Sequence, residues 1–193
     1  MTLDFILANI SELKKAESTA LIGVSGFGGA GKSTLARDLT HALSGGVRIR
    51  GDDFLDPDRS HRRSSEWDGV ERVRLRDEVL SPLRLGVSGS FRRFDWSTRG
   101  LGVAEALPDA EFVVVDAIGL FHPELDGAFD LTIWIDVDLE VATAQGKSRD
   151  QRLGRDHEAL WDEVWVANER DFVERFDPRG SADLLHVPGH LGN

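Results

Sequence analysis

Hydrophobic positions along this chain switch between two spacings, and the switches predict its elements. Leu3, Ile6, Leu7, Ile10 and Leu13 fall on one helical stripe with Thr2 placed to cap it, so residues 3–13 read as a helix, expected at a sheet edge. Residues 20–25 are a short apolar run of strand type. After a glycine-rich stretch, Leu35, Ala36, Leu39, Ala42 and Leu43 recur at helical spacing. Residues 47–50 read as a second strand ending at Gly51-Asp52-Asp53-Phe54, and residues 56–69, polar and basic with Pro57 and Gly69, predict a mobile loop. Helical spacing returns over 70–85 (Val73, Val79, Leu80, Leu83), with a bend or break expected at Pro82. Residues 112–116 and 131–136 are strands rich in β-branched residues. A helical stretch opens near Leu139, a long helix covers 157–176 (Leu160, Trp161, Val164, Trp165, Phe172, Val173), and 184–187 is a last short strand.

Strands alternating with helices predict an α/β fold, a doubly wound parallel sheet with helices on both faces. The continuous apolar strands suit a sheet covered on each side. Ligands on such sheets sit beyond the carboxyl ends of the strands. Gly26, Asp52 and Asp116 each stand at the end of a predicted strand.

The stretch after the first strand is Gly26-Phe27-Gly28-Gly29-Ala30-Gly31-Lys32-Ser33-Thr34, which satisfies the phosphate-binding pattern G-x-x-x-x-G-K-[ST] of the P-loop NTPase fold. Glycines allow backbone N–H groups to turn onto an anion, and the following helix directs its positive dipole end at the same point. Gly26, Gly28, Gly29, Ala30, Gly31, Lys32, Ser33 and Thr34 are therefore the candidate nucleotide contacts. Lys32 reaches the outer phosphates and Ser33 takes a place on Mg²⁺.

Phosphoryl transfer to a hydroxyl needs a carboxylate that orients the nucleophile and accepts its proton. Asp52 is the candidate; Asp53, its neighbour, is expected to turn toward solvent or a structural partner. The competing reading is an Asp-rich turn that caps the next segment. Asp116 can hold Mg²⁺ opposite Ser33, or bond the backbone at a loop start. Two acidic and aromatic segments, 66–69 with Trp67 and Asp68 and 92–96 with Arg93, Phe94, Asp95 and Trp96, suit a ring-and-hydroxyl ligand if the tryptophans are exposed. Packing of Trp67 and Trp96 under loops is the alternative. Arg149 and Arg155 read either as a solvated charged turn or as cations closing over phosphates.

Composition narrows the setting. With 193 residues the chain fits one domain, taken as 1–193, with a mobile acceptor side near 55–70 and 90–100. It has no cysteine and no run of 18 apolar residues, so disulfides, thiolate chemistry and a membrane span are excluded; a cytoplasmic protein is expected. The net charge of −11 argues against nucleic acid as a partner. Leu43-Ser44-Gly45-Gly46 copies part of a transporter-ATPase signature but sits where a helix should end. His122 reads as a surface histidine.

In sum of motifs the chain resembles the uridine kinase-like group of P-loop kinases. The likeness runs over residues 20–187 through the phosphate loop, Asp52-Asp53-Phe54, Trp67-Asp68, Phe94-Asp95-Trp96, Val114-Val115-Asp116-Ala117, Arg149-Asp150, Gly154-Arg155-Asp156 and Ala182-Asp183. It implies ATP-dependent, Mg²⁺-assisted phosphorylation of a small nucleoside-like or sugar-like hydroxyl acceptor. Asp52 falls on the base and Asp53, Phe54 and Asp68 toward the acceptor, with 92–96 forming an acceptor-side loop. Arg149 and Arg155 fall in a lid near 146–158. Homo-oligomerisation stays open. Two departures stand out: Asp116-Ala117 replaces the usual Glu-Gly, and Leu55 and Phe94 stand where tyrosine is frequent, in a chain with no tyrosine. A missing phenol removes a hydrogen bond that could specify the acceptor. The readings kept beside a kinase are a non-catalytic nucleotide-binding regulator and a GTP switch. Asp116-Ala117-Ile118-Gly119 fits the D-x-x-G of GTPases, although no Asn-Lys-x-Asp motif accompanies it.

Overall fold

A computed structural model describes residues 1–13 and 18–189; the expected domain span of 1–193 includes 14–17 and 190–193, outside the described residues. Helix α1 (Leu3–Glu12) leads to β1 (Ala20–Ser25), α2 (Lys32–Ala42) and β2 (Gly46–Arg50). A helical segment follows in which α3 (Arg72–Leu75) runs through a π turn (Arg76–Leu80) into α4 (Ser81–Leu85). Next come a hairpin, β3 (Ser90–Asp95) and β4 (Gly100–Ala106), then β5 (Phe112–Asp116), β6 (Leu131–Ile135) and α5 (Leu139–Arg152). The chain ends with α6 (Glu158–Leu160), which passes through a second π turn (Trp161–Trp165) into α7 (Val166–Phe176), followed by α8 (Pro178–Ser181) and β7 (Leu184–His186).

Five of the strands form a parallel sheet in the order β2-β5-β1-β6-β7. The chain leaves central β1 for one edge and returns past it to the other, so the topological switch lies at the carboxyl end of β1. Alternate strand residues separate the two layers. Ile22, Val24, Val114 and Ile133 face α1, α2 and α5 through Ile6, Ile10, Leu39 and Ala142. Leu21, Ile49, Val113 and Val115 face the other way, onto Phe54, Leu75, Val79, Leu80 and Phe91. This is the predicted doubly wound α/β fold.

Helix α1 buries Ile6 and Ile10 in the same layer as α2, with the Met1 carbonyl just before it against His186 of the edge strand β7. Two local expectations change. Pro82 does not break its helix. The preceding π turn sends the Ser81 N–H to the Arg76 carbonyl, widening the ladder just where proline lacks a donor. The β3–β4 hairpin stands where the sequence pattern predicts only a loop near 90–100. Its register shifts between Arg92 and Phe94, and this bulge turns both Phe91 and Phe94 inward although they are three residues apart. A period of two is thereby lost from the sequence.

Candidate active site

Register brings the site together. Val24 pairs with Asp116 and Arg50 pairs with the same Asp116, so the ends of β1, β2 and β5 lie level along one side of the sheet. From that rim the chain continues into the phosphate loop, the Gly51–Phe54 turn and Ala117. Contact between the last two is tight: a Cβ on Gly51 would come within 2.2 Å of the Ala117 Cβ. Glycine is what allows the turn carrying Asp52 to lie against the end of β5.

The phosphate loop is shaped as expected. Gly29 and Gly31 have φ of +86° and +104°, in the left-handed region, and Gly31 caps α2. Gly29 also packs on α5, where a Cβ would stand 2.1 Å from the Ala142 carbonyl oxygen. Among the described residues, no protein acceptor pairs with the N–H groups of Gly29, Gly31, Lys32 or Ser33. A helix start with unpaired donors and a left-handed glycine loop has the geometry that suits an anion. The Gly28 amide differs from its expected role: it donates to Glu169 Oε1 at 2.7 Å.

Lys32 is buried and folds back, its Nζ donating to the carbonyls of Gly26 (2.9 Å) and Phe27 (2.8 Å). Burial pulls its pKa down, and the carboxylates of Glu169, Asp116 and Asp52 oppose that by favouring its charged form. Asp52 therefore lies close enough to Lys32 for its field to be felt. Its own side chain is 61% exposed and reaches Arg50 Nη2 at 3.5 Å.

The side chains of Ser33 and Asp116 meet directly. Ser33 Oγ donates to Asp116 Oδ2 at 2.7 Å. Asp116 is also gripped by Arg48 of β2, Nε to Oδ1 at 2.6 Å and Nη2 to Oδ2 at 2.8 Å. Hydroxyl and carboxylate oxygens suit a hard cation. Among the described residues no cluster of three or more His, Cys, Asp or Glu could hold a metal, so Mg²⁺ here would take its other ligands from phosphate and water.

On the acceptor side the two aspartates part. Asp53 is buried and ion-paired to Arg93 Nη1 at 2.8 Å, and Arg93 Nε in turn donates to Glu105 of β4 at 3.0 Å. Burial raises the Asp53 pKa, with Arg50 and Arg93 working against that shift. Phe94 is packed edge-on to Trp96, which remains 46% exposed. Asp68 is exposed, and Asp95 accepts from Ser97 in the hairpin turn. Two candidate contacts are corrected. Phe54 is fully buried, stacked on Phe91 and covered by the Arg74 guanidinium. Trp67 is buried too, packed with Val70 and Phe172. Neither ring is exposed to stack on a ligand. His122, read as a surface residue, is also buried, edge-on to Phe176 and beside Glu66 and Glu124.

Arg149 lies in the last turn of α5 and Arg155 just beyond it. Both are exposed and both face Asp150, at 3.0 and 3.9 Å. Buried Asp150 also accepts from Trp161 Nε1 at 3.0 Å and meets His157. Desolvation pushes its pKa up, but these partners outweigh it and leave the carboxyl below its ordinary value.

Sequence reading missed Arg48, Glu169 and the anchoring role of Asp150. The first two carried a signal. Arg48 interrupts a strand, and Glu169 falls on the same helical face as Trp165 and Phe172, where a charge needs a partner.

Comparison with known proteins bears on the fold and the family. A profile described as the phosphoribulokinase / uridine kinase family matches residues 21–188. A search of curated proteins found no match. Among solved structures, a candidate fructose transport system kinase from a Silicibacter species superposes with a TM-score of 0.76 at 22% identity, covering 96% of this chain and 99% of that one. A possible uridine kinase from Bacillus stearothermophilus gives 0.72 at 19% identity, covering 95% and 96%. At these identities the superpositions speak for the fold, and the profile speaks for descent: the chain belongs to the phosphoribulokinase / uridine kinase family.

Proposed function

We propose that this P-loop kinase transfers the terminal phosphate of ATP, with Mg²⁺, to a hydroxyl of a small nucleoside-like or sugar-like acceptor. The observation that carries the reading is the level rim of β1, β2 and β5. It sets the unpaired amides of the phosphate loop, the Ser33–Asp116 pair and the turn bearing Asp52 side by side. In this reading the loop amides and Lys32 hold the phosphates, while Ser33 and Asp116 face the metal. Asp52 takes the acceptor's proton as the new O–P bond forms and the bond to ADP breaks. Exposure of Asp52 and burial of Asp53 favour Asp52 as the group that meets an incoming hydroxyl. Arg93, Asp95, Trp96 and Asp68 line the acceptor side, with Asp53 fixing Arg93 and buried Phe94 backing Trp96. Arg149 and Arg155 stabilise the transferring phosphoryl once released from Asp150.

The test is a panel of nucleosides, sugars and vitamin precursors incubated with Mg-ATP, with ADP release as the readout. Asp52→Asn should lose transfer by at least about 100-fold, the usual scale for a general base, while still binding ATP. Full activity in that variant removes Asp52 from the role.

One observation favours a second reading, a nucleotide-binding regulator without transfer. Arg48 already neutralises the carboxylate that would face Mg²⁺. Tight ATP binding with no ADP from any acceptor would select this reading.

A further inference from the structure

The group least explained by transfer chemistry is Glu169. It projects from α7 into the phosphate loop, where Oε1 accepts the Gly28 N–H at 2.7 Å. It is 3% exposed, and Trp161 fills the space next to Gly28, so the carboxyl has no ready path to water. The groups facing it are few. The charge of Lys32, whose Nζ is bonded to the Gly26 and Phe27 carbonyls, acts on it from α2, and the Gly28 amide donates to it from the loop. The Trp67 indole is near enough to favour the charged form, yet its N–H lies outside hydrogen-bond geometry and has no partner among the described residues. Asp116, Asp52 and Arg149 act on Lys32 in turn. An ionised Glu169 thus occupies the electrostatic place that a phosphate would take beside Lys32.

Two anions cannot share one buried lysine cheaply, and a helix side chain wedged between Trp161 and Trp67 does not simply swing away. We propose that Glu169 is a proton-linked gate on the phosphate loop: nucleotide phosphates and the ionised carboxylate exclude each other, so binding a nucleoside triphosphate takes up a proton at Glu169. This rests on the reading of the loop as a nucleotide site. Burial already pushes the Glu169 pKa up to about 7, so the gate would act near neutral pH. Above that value, affinity should fall by up to about tenfold per pH unit, because the proton must be supplied from a scarcer source.

The experiment measures Mg-ATP binding by calorimetry between pH 6 and 8.5, in two buffers of different ionisation enthalpy, for wild type and Glu169→Gln. The variant keeps a hydrogen-bond acceptor for Gly28 and removes the charge. Titration of ATP itself enters both proteins alike. Expected is an uptake of about one proton at pH 8 by wild type beyond that of the variant, with an affinity gap that widens as pH rises. Binding with equal proton counts and parallel pH profiles overturns the gate alone. Absence of Mg-ATP binding in both proteins at every pH overturns the nucleotide reading and the gate with it. If the variant does not fold, the wild-type proton count still decides, since a count near zero at pH 8 overturns the proposal.

Discussion

The pairing of Arg48 with Asp116 offers a sharp test of how the rim is held. Asp116 is 5% exposed and receives two guanidinium bonds and the Ser33 hydroxyl. Replacing Arg48 by leucine leaves a buried carboxylate with one neutral donor. Stranding a buried charge costs about 3–5 kcal/mol, and because Arg48 is partly exposed and water can enter, about 3 kcal/mol is expected. For a chain of this length each kcal/mol moves Tm by about 2–4 °C, so Arg48→Leu should melt about 6–12 °C lower. Asp116→Asn should cost less, about 1–2 kcal/mol, since the guanidinium left behind can be hydrated. The double variant should then be more stable than the sum of the singles predicts, with a coupling of about 2 kcal/mol in urea unfolding. A coupling below about 0.5 kcal/mol would show that the pair is held by its surroundings and contributes nothing of its own.

Other expectations follow from the packing of the same rim. Gly29→Ala should abolish Mg-ATP binding and lower stability by about 2 kcal/mol or more, because its Cβ meets the Ala142 carbonyl in a left-handed backbone; calorimetry and circular dichroism report both. Phe172→Ala, at a 1% exposed core position, should cost about 3–5 kcal/mol in denaturant unfolding. Arg93→Ala unpairs buried Asp53 and should raise the acceptor KM by about tenfold or more while moving the ATP KM by less than about twofold. The nucleotide-free protein should also show a pH-dependent stability gap at Glu169. Its folded pKa of about 7 lies above the ordinary 4.5, so its proton stabilises the fold fully below pH 4.5, and that stabilisation is lost as pH rises through 7. The gap favouring Glu169→Gln should therefore widen by roughly 3 kcal/mol between pH 4.5 and 8 in urea unfolding, and a constant gap contradicts the shift.

How much of this was readable before folding depended on how local each signal was. The phosphate loop was readable because strand, glycines, lysine and helix are contiguous, and each type is demanded by backbone geometry. The end of β5 was readable because a buried parallel strand is an unbroken apolar run, here with a carboxylate at its end, and the end of β2 because Gly51-Asp52-Asp53 follows Val47 and Ile49 at strand spacing. The hairpin was hidden by its bulge, which spaces Phe91 and Phe94 by three. Burial of Phe54 and Trp67 was hidden for another reason. Aromatic residues beside carboxylates look alike whether they stack on a ligand or on Phe91 and Phe172, and only distant chain segments decide. Glu169 and Arg48 were legible only as charges out of pattern; their partners lie 141 and 68 residues away.

Placed together, the cations of this rim are already committed. Lys32 is held by two carbonyls, Arg48 by Asp116, Arg93 by Asp53 and Glu105, and Arg149 and Arg155 face Asp150. In a chain with a net charge of −11 such pairing keeps a cluster of positive groups from either binding stray anions or repelling itself apart. It also means that a polyphosphate gains little from bare attraction and must exchange partners, taking arginines from Asp150 and the loop from Glu169. Each exchange leaves a buried carboxylate behind, and a buried carboxylate without its cation tends to take up a proton. Ligand binding at this rim is therefore expected to be coupled to pH and to be selective for ligands rich enough in phosphate oxygens to replace every bond they break.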